Sequence, residues 1–190
     1  MTIDPVLATG AQAGMAIVVL LGAAAKMRRP AAFRDALGGY RLLPDALTAP
    51  AAFALPLAEA LGAAALLFPD TRTIGAGVLV ALLFAFAAAL AINILRGHTD
   101  IDCGCSGFAA TWPDAHAQAD APRGIGWFHV ARALLLAALA ATAFVEPAAR
   151  AVVWFDYLTL FFAVLLIVCT LLTADVLLAN VPRLSHLRNS

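Results

Sequence analysis

Five stretches of this chain stay apolar for close to the length of a membrane-crossing helix, and that pattern constrains the fold more than any motif in it. A hydrocarbon core about 30 Å thick is crossed by roughly 20 apolar residues rising as an α-helix. Residues 6–25, 51–68, 74–95, 127–145 and 154–178 meet or approach that length. Inside a bilayer each backbone N–H and C=O must find a partner within its own segment, so stretches of this kind become helices. With 63% hydrophobic and 13% charged residues and a mean hydropathy of +0.91, the apolar surface exceeds what a soluble domain of 190 residues buries. The expected fold is an all-α integral membrane protein. It is read as a single membrane-embedded domain over 1–190, a compact bundle of four to five transmembrane helices.

Punctuation supports the same reading. Pro30, Pro44, Pro50, Pro69, Pro122, Pro147 and Pro182 fall between or beyond the apolar windows, where a missing N–H costs least. Pro56 lies early in the second window and predicts a kink there. Between the first two spans, residues 30–44 mix apolar and basic side chains at near-helical spacing, which predicts a short interfacial helix after the first span, ended by Gly38-Gly39. Gly10-x-x-x-Gly14 in the first span gives a small face on which another helix can approach closely, here expected from within the chain. The start, Met1-Thr2-Ile3-Asp4-Pro5, carries no basic region, so the first apolar stretch is expected to be a retained span. Charge excludes one class of function: 12 Lys+Arg balance 12 Asp+Glu without a basic block, so no nucleic acid is expected as a partner.

Five spans put the 26–44 loop, the 96–126 loop and the C-terminus on one side. Lys26, Arg28, Arg29, Arg34, Arg41, Arg96, Arg123, Arg183 and Arg188 fall there, against Arg72 and Arg150 on the other side. The positive-inside rule then places the 96–126 loop in the cytoplasm.

That loop holds Cys103-Gly-Cys105 within His98-Thr-Asp100-Ile-Asp102-Cys103-Gly-Cys105-Ser-Gly107-Phe108. Bridging cysteines two apart closes a tight ring at the limit of disulfide geometry, with glycine best able to make the turn. Such a bond is strained, hence readily reduced, and so short a closure removes little chain entropy. A redox pair at Cys103 and Cys105 is one reading. The same thiolates with His98, His116 or His129 make a ligand set for zinc or Cu(I), although the spacing is not that of a zinc module; unreactive thiols are the third reading. His98 favours thiolate when protonated, whereas Asp100 and Asp102 oppose it. Cys169, in the last span, reads as a small hydrophobe.

Glu59 lies within an apolar span, where an ionised carboxylate at mid-bilayer costs at least about 2.5 kcal/mol and needs a partner. Lys26, Arg28 and Arg29 at the end of the first span are the candidates. Such a pair serves either as a polar floor or proton relay beneath the thiols, or simply to fix the first two helices together. Asn93, His129 and Arg132 are expected on the same side, around a polar mouth. Trp112, Trp127 and Trp154 fit an aromatic belt.

The chain resembles the methylamine utilisation MauE family, relatives of the DoxX-like membrane proteins. The resemblance rests on Gly22-Ala-Ala-Ala-Lys26, on Phe33 with Tyr40-Arg-Leu-Leu-Pro44, on Pro56-Leu-Ala-Glu59, and on Asp102-Cys103-Gly-Cys105-Ser-Gly107. It implies a bacterial inner (cytoplasmic) membrane location and a part in maturing the disulfide-rich small subunit of methylamine dehydrogenase. It also implies work beside a membrane-anchored thioredoxin-like protein, MauD-like, with Cys103 and Cys105 as the thiol pair and Lys26 and Glu59 as the polar intramembrane positions. Periplasmic disulfide chemistry would set the thiol loop outside, against the charge rule. On this reading the pair cycles between dithiol and disulfide, and a quinone between the helices is a conceivable electron acceptor that no particular residue specifies. The rival readings are a non-catalytic membrane scaffold or chaperone for the thioredoxin-like partner, and a metal transporter.

Overall fold

A computed structural model describes residues 2–101, 124–150 and 153–188, with side chains described up to residue 174. Six α-helices make up the described chain: α1 (Pro5–Arg28), α2 (Pro30–Gly39), α3 (Asp45–Leu67), α4 (Arg72–Leu95), α5 (Trp127–Ala141) and α6 (Trp154–Arg188). All except the short α2 are long and apolar enough to cross a membrane, α5 together with the 3-10 turn Thr142–Phe144 that continues it. The protein is thus an all-α, multi-pass membrane protein, and the five predicted spans coincide with α1, α3, α4, α5 and α6.

Local signals place the helix starts. Asp4 caps α1 by accepting from the Val6 N–H at 2.8 Å, and Pro5 occupies the first turn, where no intrahelical donor is needed. At α5 the Gly126 N–H donates to His129 Nδ1 at 3.2 Å while the His129 N–H donates to the Gly126 carbonyl at 2.9 Å, a reciprocal cap built without a hydroxyl. Two prolines depart from the sequence reading. Pro50 lies inside α3, whose helix begins at Asp45 directly after Pro44, and α6 continues past Pro182 to Arg188. The local pattern missed them because each proline removes only one intrahelical bond, to Ala46 in the case of Pro50, and the surrounding helix tolerates that loss. α2 is the predicted interfacial helix. Its exit uses Arg41, at φ 50°, as the left-handed residue instead of either glycine.

α1, α3, α4 and α5 form a ring in which successive helices touch and α5 closes back on α1; α6 packs on the outside of α1, and α2 lies across α3. Met15, Val18, Ala63, Leu66, Leu79 and Leu136 meet in its centre. Large apolar side chains such as Leu7, Phe53, Leu61, Ile74, Phe161 and Leu166 point outward, the arrangement expected where lipid is the surroundings. Close approaches are made at glycines. A methyl group on Gly14 would lie 3.0 Å from Ile167 Cγ2, and one on Gly10 3.4 Å from Leu160 Cδ1, so the Gly10/Gly14 face serves packing within the chain, against α6. The tightest approach joins α3 to α4, where a Cβ on Gly75 would sit 2.5 Å from the Leu66 nitrogen and 2.6 Å from the Gly62 carbonyl oxygen.

Candidate functional site

The end of the bundle that carries the 96–126 loop holds a buried ion pair. Lys26, in the last turn of α1, sends Nζ to Glu59 of α3 at 2.6 Å from Oε1 and 2.8 Å from Oε2. Both side chains are nearly enclosed, at 9% and 7% exposure. The ammonium also lies over the rings of Phe33 (5.2 Å) and Phe86 (5.1 Å), whose π-faces add attraction in a dry setting. Of the three partners open to Glu59 in the sequence, the structure selects Lys26, whose side chain in the last turn of α1 is nearly enclosed against α3; Arg28 and Arg29 are exposed. The pair is neutral as a whole, which is what allows it inside an apolar wall.

His129 and Arg132 of α5 join Lys26 and Glu59 around a small cavity of about 60 Å³, closed by Val18, Leu83, Phe86 and Leu136. One carboxyl, one amine and one guanidinium thus face a single space beside an imidazole whose Nδ1 accepts a hydrogen bond, leaving the neutral ring's proton on Nε2. Asn93 is fully buried near the end of α4; its Nδ2 donates to the Ala89 carbonyl at 3.0 Å, and its Oδ1 has no partner among the described residues. A larger, nearly all-apolar pocket of about 230 Å³ lies on the other side of Lys26, between α2, α3 and α4.

Cys103, Cys105 and Asp102 lie outside the described residues, as does Trp112. His98 is described: it is exposed, lines neither cavity, and its backbone N–H donates to the Asn93 carbonyl at 3.0 Å. The borders of the thiol segment are pinned together. The Ile125 N–H donates to the Thr99 carbonyl at 2.8 Å, and Ile101 packs on Gly39 of α2, where an added methyl would sit 3.4 Å from its Cγ2. Cys169 is a free cysteine on the exposed side of α6, and no three metal-ligating side chains converge among the described residues.

The opposite end carries a cluster that the sequence reading missed. Arg150 donates to Asp4 at 2.8 Å through Nε and to Asp156 at 2.9 Å through Nη1 and Nη2. Ile3 pairs with the chain beside it, accepting from the Ala148 N–H at 2.8 Å. The one clue was Asp4 directly before Pro5, a helix-capping arrangement. Hydrogen bonding from Arg150, then from the Val6 N–H, holds the Asp4 carboxyl below its ordinary value of 3.8, and the Arg150 guanidinium is held more firmly protonated by Asp156 first and Asp4 second. A depressed carboxyl stabilises the fold above its ordinary value and loses that contribution as pH falls through the folded one. The stability difference between the native chain and Arg150→Gln should therefore stay constant from pH 7 to 5 and shrink only below 3.8, as followed by thermal unfolding in detergent; a difference already gone at pH 5 would contradict the assignment.

A family model described as "Methylamine utilisation protein MauE" matches residues 4–146. The chain is 40% identical over 136 residues to methylamine utilization protein MauE of Methylophilus methylotrophus, covering 72% of this chain and 66% of that relative. It is 36% identical over 138 residues to the protein of the same name from Paracoccus denitrificans, covering 73% and 68%, and 31% identical over 148 residues to that of Paracoccus versutus, covering 77% and 74%. The alignments thus span about two thirds of the first two relatives' own length. No solved structure matches the chain.

Proposed function

The chain belongs to the methylamine utilisation protein MauE family, and from that membership we propose that it is a thiol-disulfide component of the bacterial inner membrane acting in methylamine utilisation. Cys103 and Cys105 exchange with a membrane-anchored thioredoxin-like partner during maturation of the methylamine dehydrogenase small subunit. In one turn a partner thiolate attacks one sulfur of the Cys103–Cys105 disulfide. The resulting mixed disulfide is resolved by the partner's second thiolate, so the partner loses two electrons and Cys103 and Cys105 gain them, taking up the two protons as thiols. The reverse exchange uses the same intermediate.

The observation that carries this reading is the pinned border of the thiol segment. Thr99 and Ile125 meet on the end of the bundle that holds Lys26, Glu59, His129 and Arg132, so the chain between them leaves from and returns to a rim lined with groups able to hold or pass protons. Membership and rim together support a redox pair over inert thiols. A second reading is favoured by the Lys26–Glu59 contact itself: a bidentate pair joining α1 to α3 is what a scaffold for the thioredoxin-like partner would also contain.

Thiol trapping separates the two. With Cys169 removed, the Cys103→Ser and Cys105→Ser variants, each holding one thiol, are expressed beside the intact partner, whose disulfide the lone thiolate can attack but whose mixed disulfide it has no second thiol to resolve. At least one should accumulate a mixed disulfide seen as a shifted, reductant-sensitive band, and replacing both cysteines should abolish maturation of the small subunit. Unimpaired maturation in the double variant would end the redox reading and leave the scaffold.

A further inference from the structure

The pocket of about 230 Å³ between α2, α3 and α4 differs from the surrounding helix contacts in three respects. Its wall is apolar, with Phe33 and Tyr40 from α2 and its cap, Leu55 from α3 and Phe86 from α4, and its one charged group is Lys26. An apolar cavity near 150 Å³ already accepts a benzene ring and excludes water, so this one has room for a substituted ring. At its Lys26 end the ammonium uses two of its three N–H donors on Glu59 and makes no other hydrogen bond among the described residues. The positive charge is matched by Glu59, so what is offered to a guest is a hydrogen-bond donor without net charge. Such an end suits a neutral acceptor, since a phosphate or carboxylate would add an uncompensated charge to a dry wall.

The geometry points to this pocket as the binding site for a neutral ring lipid with carbonyl oxygens, of the membrane quinone class, its ring between Phe33 and Phe86 and one carbonyl accepting from Lys26. This is a statement about binding. It needs neither Cys103 nor Cys105, so it stands or falls apart from the exchange reaction above.

The test uses the full chain in detergent with Cys103, Cys105 and Cys169 replaced by serine, because thiolates add covalently to quinone rings. The probe is a benzoquinone with a short alkyl tail, and bound probe is read from its ring absorbance after separation from empty micelles. Saturable binding of one probe per chain is expected. Ala89→Phe, which fills the pocket from α4, should weaken it at least tenfold with the thermal transition retained. Ala85→Phe, at an exposed position on the pocket's edge, should do the same should the first variant not fold. Lys26→Met combined with Glu59→Leu, which removes both members of the ion pair and leaves no donor in their place, should weaken binding about tenfold. The proposal is overturned if uptake only matches partition into empty micelles, or if filling the pocket leaves affinity unchanged. It is also overturned if native mass spectra show a phospholipid that excess quinone does not displace.

Discussion

Replacing Glu59 with leucine alone should destabilise the chain by about 3 kcal/mol or more, while replacing Glu59 and Lys26 together, by leucine and methionine, should restore most of that loss. The single change leaves an ammonium in a wall where its side chain is 9% exposed, with only the rings of Phe33 and Phe86 to compensate. Breaking one partner of a buried pair costs about 3–5 kcal/mol, whereas exchanging the whole pair for apolar groups of similar volume is often neutral. Lys26→Met alone completes the cycle and should also destabilise the chain, since it leaves Glu59 in the same wall without its partner. Thermal unfolding in detergent of the four chains of this cycle yields the coupling directly. Equal losses in the single and double variants would mean that the pair does not hold α1 to α3. On the proposed function the same double variant also reports more than stability: restored stability with lost maturation would assign the pair a role beyond packing.

Gly75→Ala should be as damaging through a different cause. The added carbon would meet the Leu66 nitrogen at 2.5 Å and the Gly62 carbonyl oxygen at 2.6 Å, and both are backbone atoms of α3 that cannot rotate away. Relief requires α3 and α4 to separate along the stretch where Leu66 and Leu79 are fully buried. Overpacking of this kind costs about 1–3 kcal/mol or more, and here it also opens the shortest hairpin of the bundle, whose turn is tied by the Thr71 hydroxyl donating to the Ala65 carbonyl at 2.9 Å. Gly77→Ala, two residues on with nothing within 4 Å, is the matched control and should be neutral or slightly stabilising through helix propensity. Comparison of folded yield and thermal transition decides the matter; indistinguishable behaviour of the two variants would show that the contact yields without cost.

These two sites differ in how readily the sequence announces them. A carboxylate inside an apolar window is so expensive that it demands a cation, and only three stood near enough along the chain to reach it. The Gly62–Gly75 approach could not be read that way, because small residues fill every span and only the rotation of α3 against α4 shows which of them touch. For Gly10 and Gly14 the i, i+4 spacing was informative, yet the partner, Ile167 and its neighbours on α6, emerged only from packing. Pro50 and Pro182 were assigned to loops because local propensity outweighs tertiary support when a window is read alone. Arg150 was invisible for the opposite reason: its partners lie at the other end of the chain (Asp4) and just inside a span (Asp156), and no local pattern links them. The 230 Å³ pocket arises where α2 leans on α3 and α4, a tilt that no residue spacing encodes.

The hydrogen bond between Thr99 and Ile125 makes the helical frame indifferent to how much chain is spliced between them. Since closure entropy grows only logarithmically, doubling an insert there adds about 0.6 kcal/mol, so this junction is where an engineer would graft a module at least cost to the scaffold.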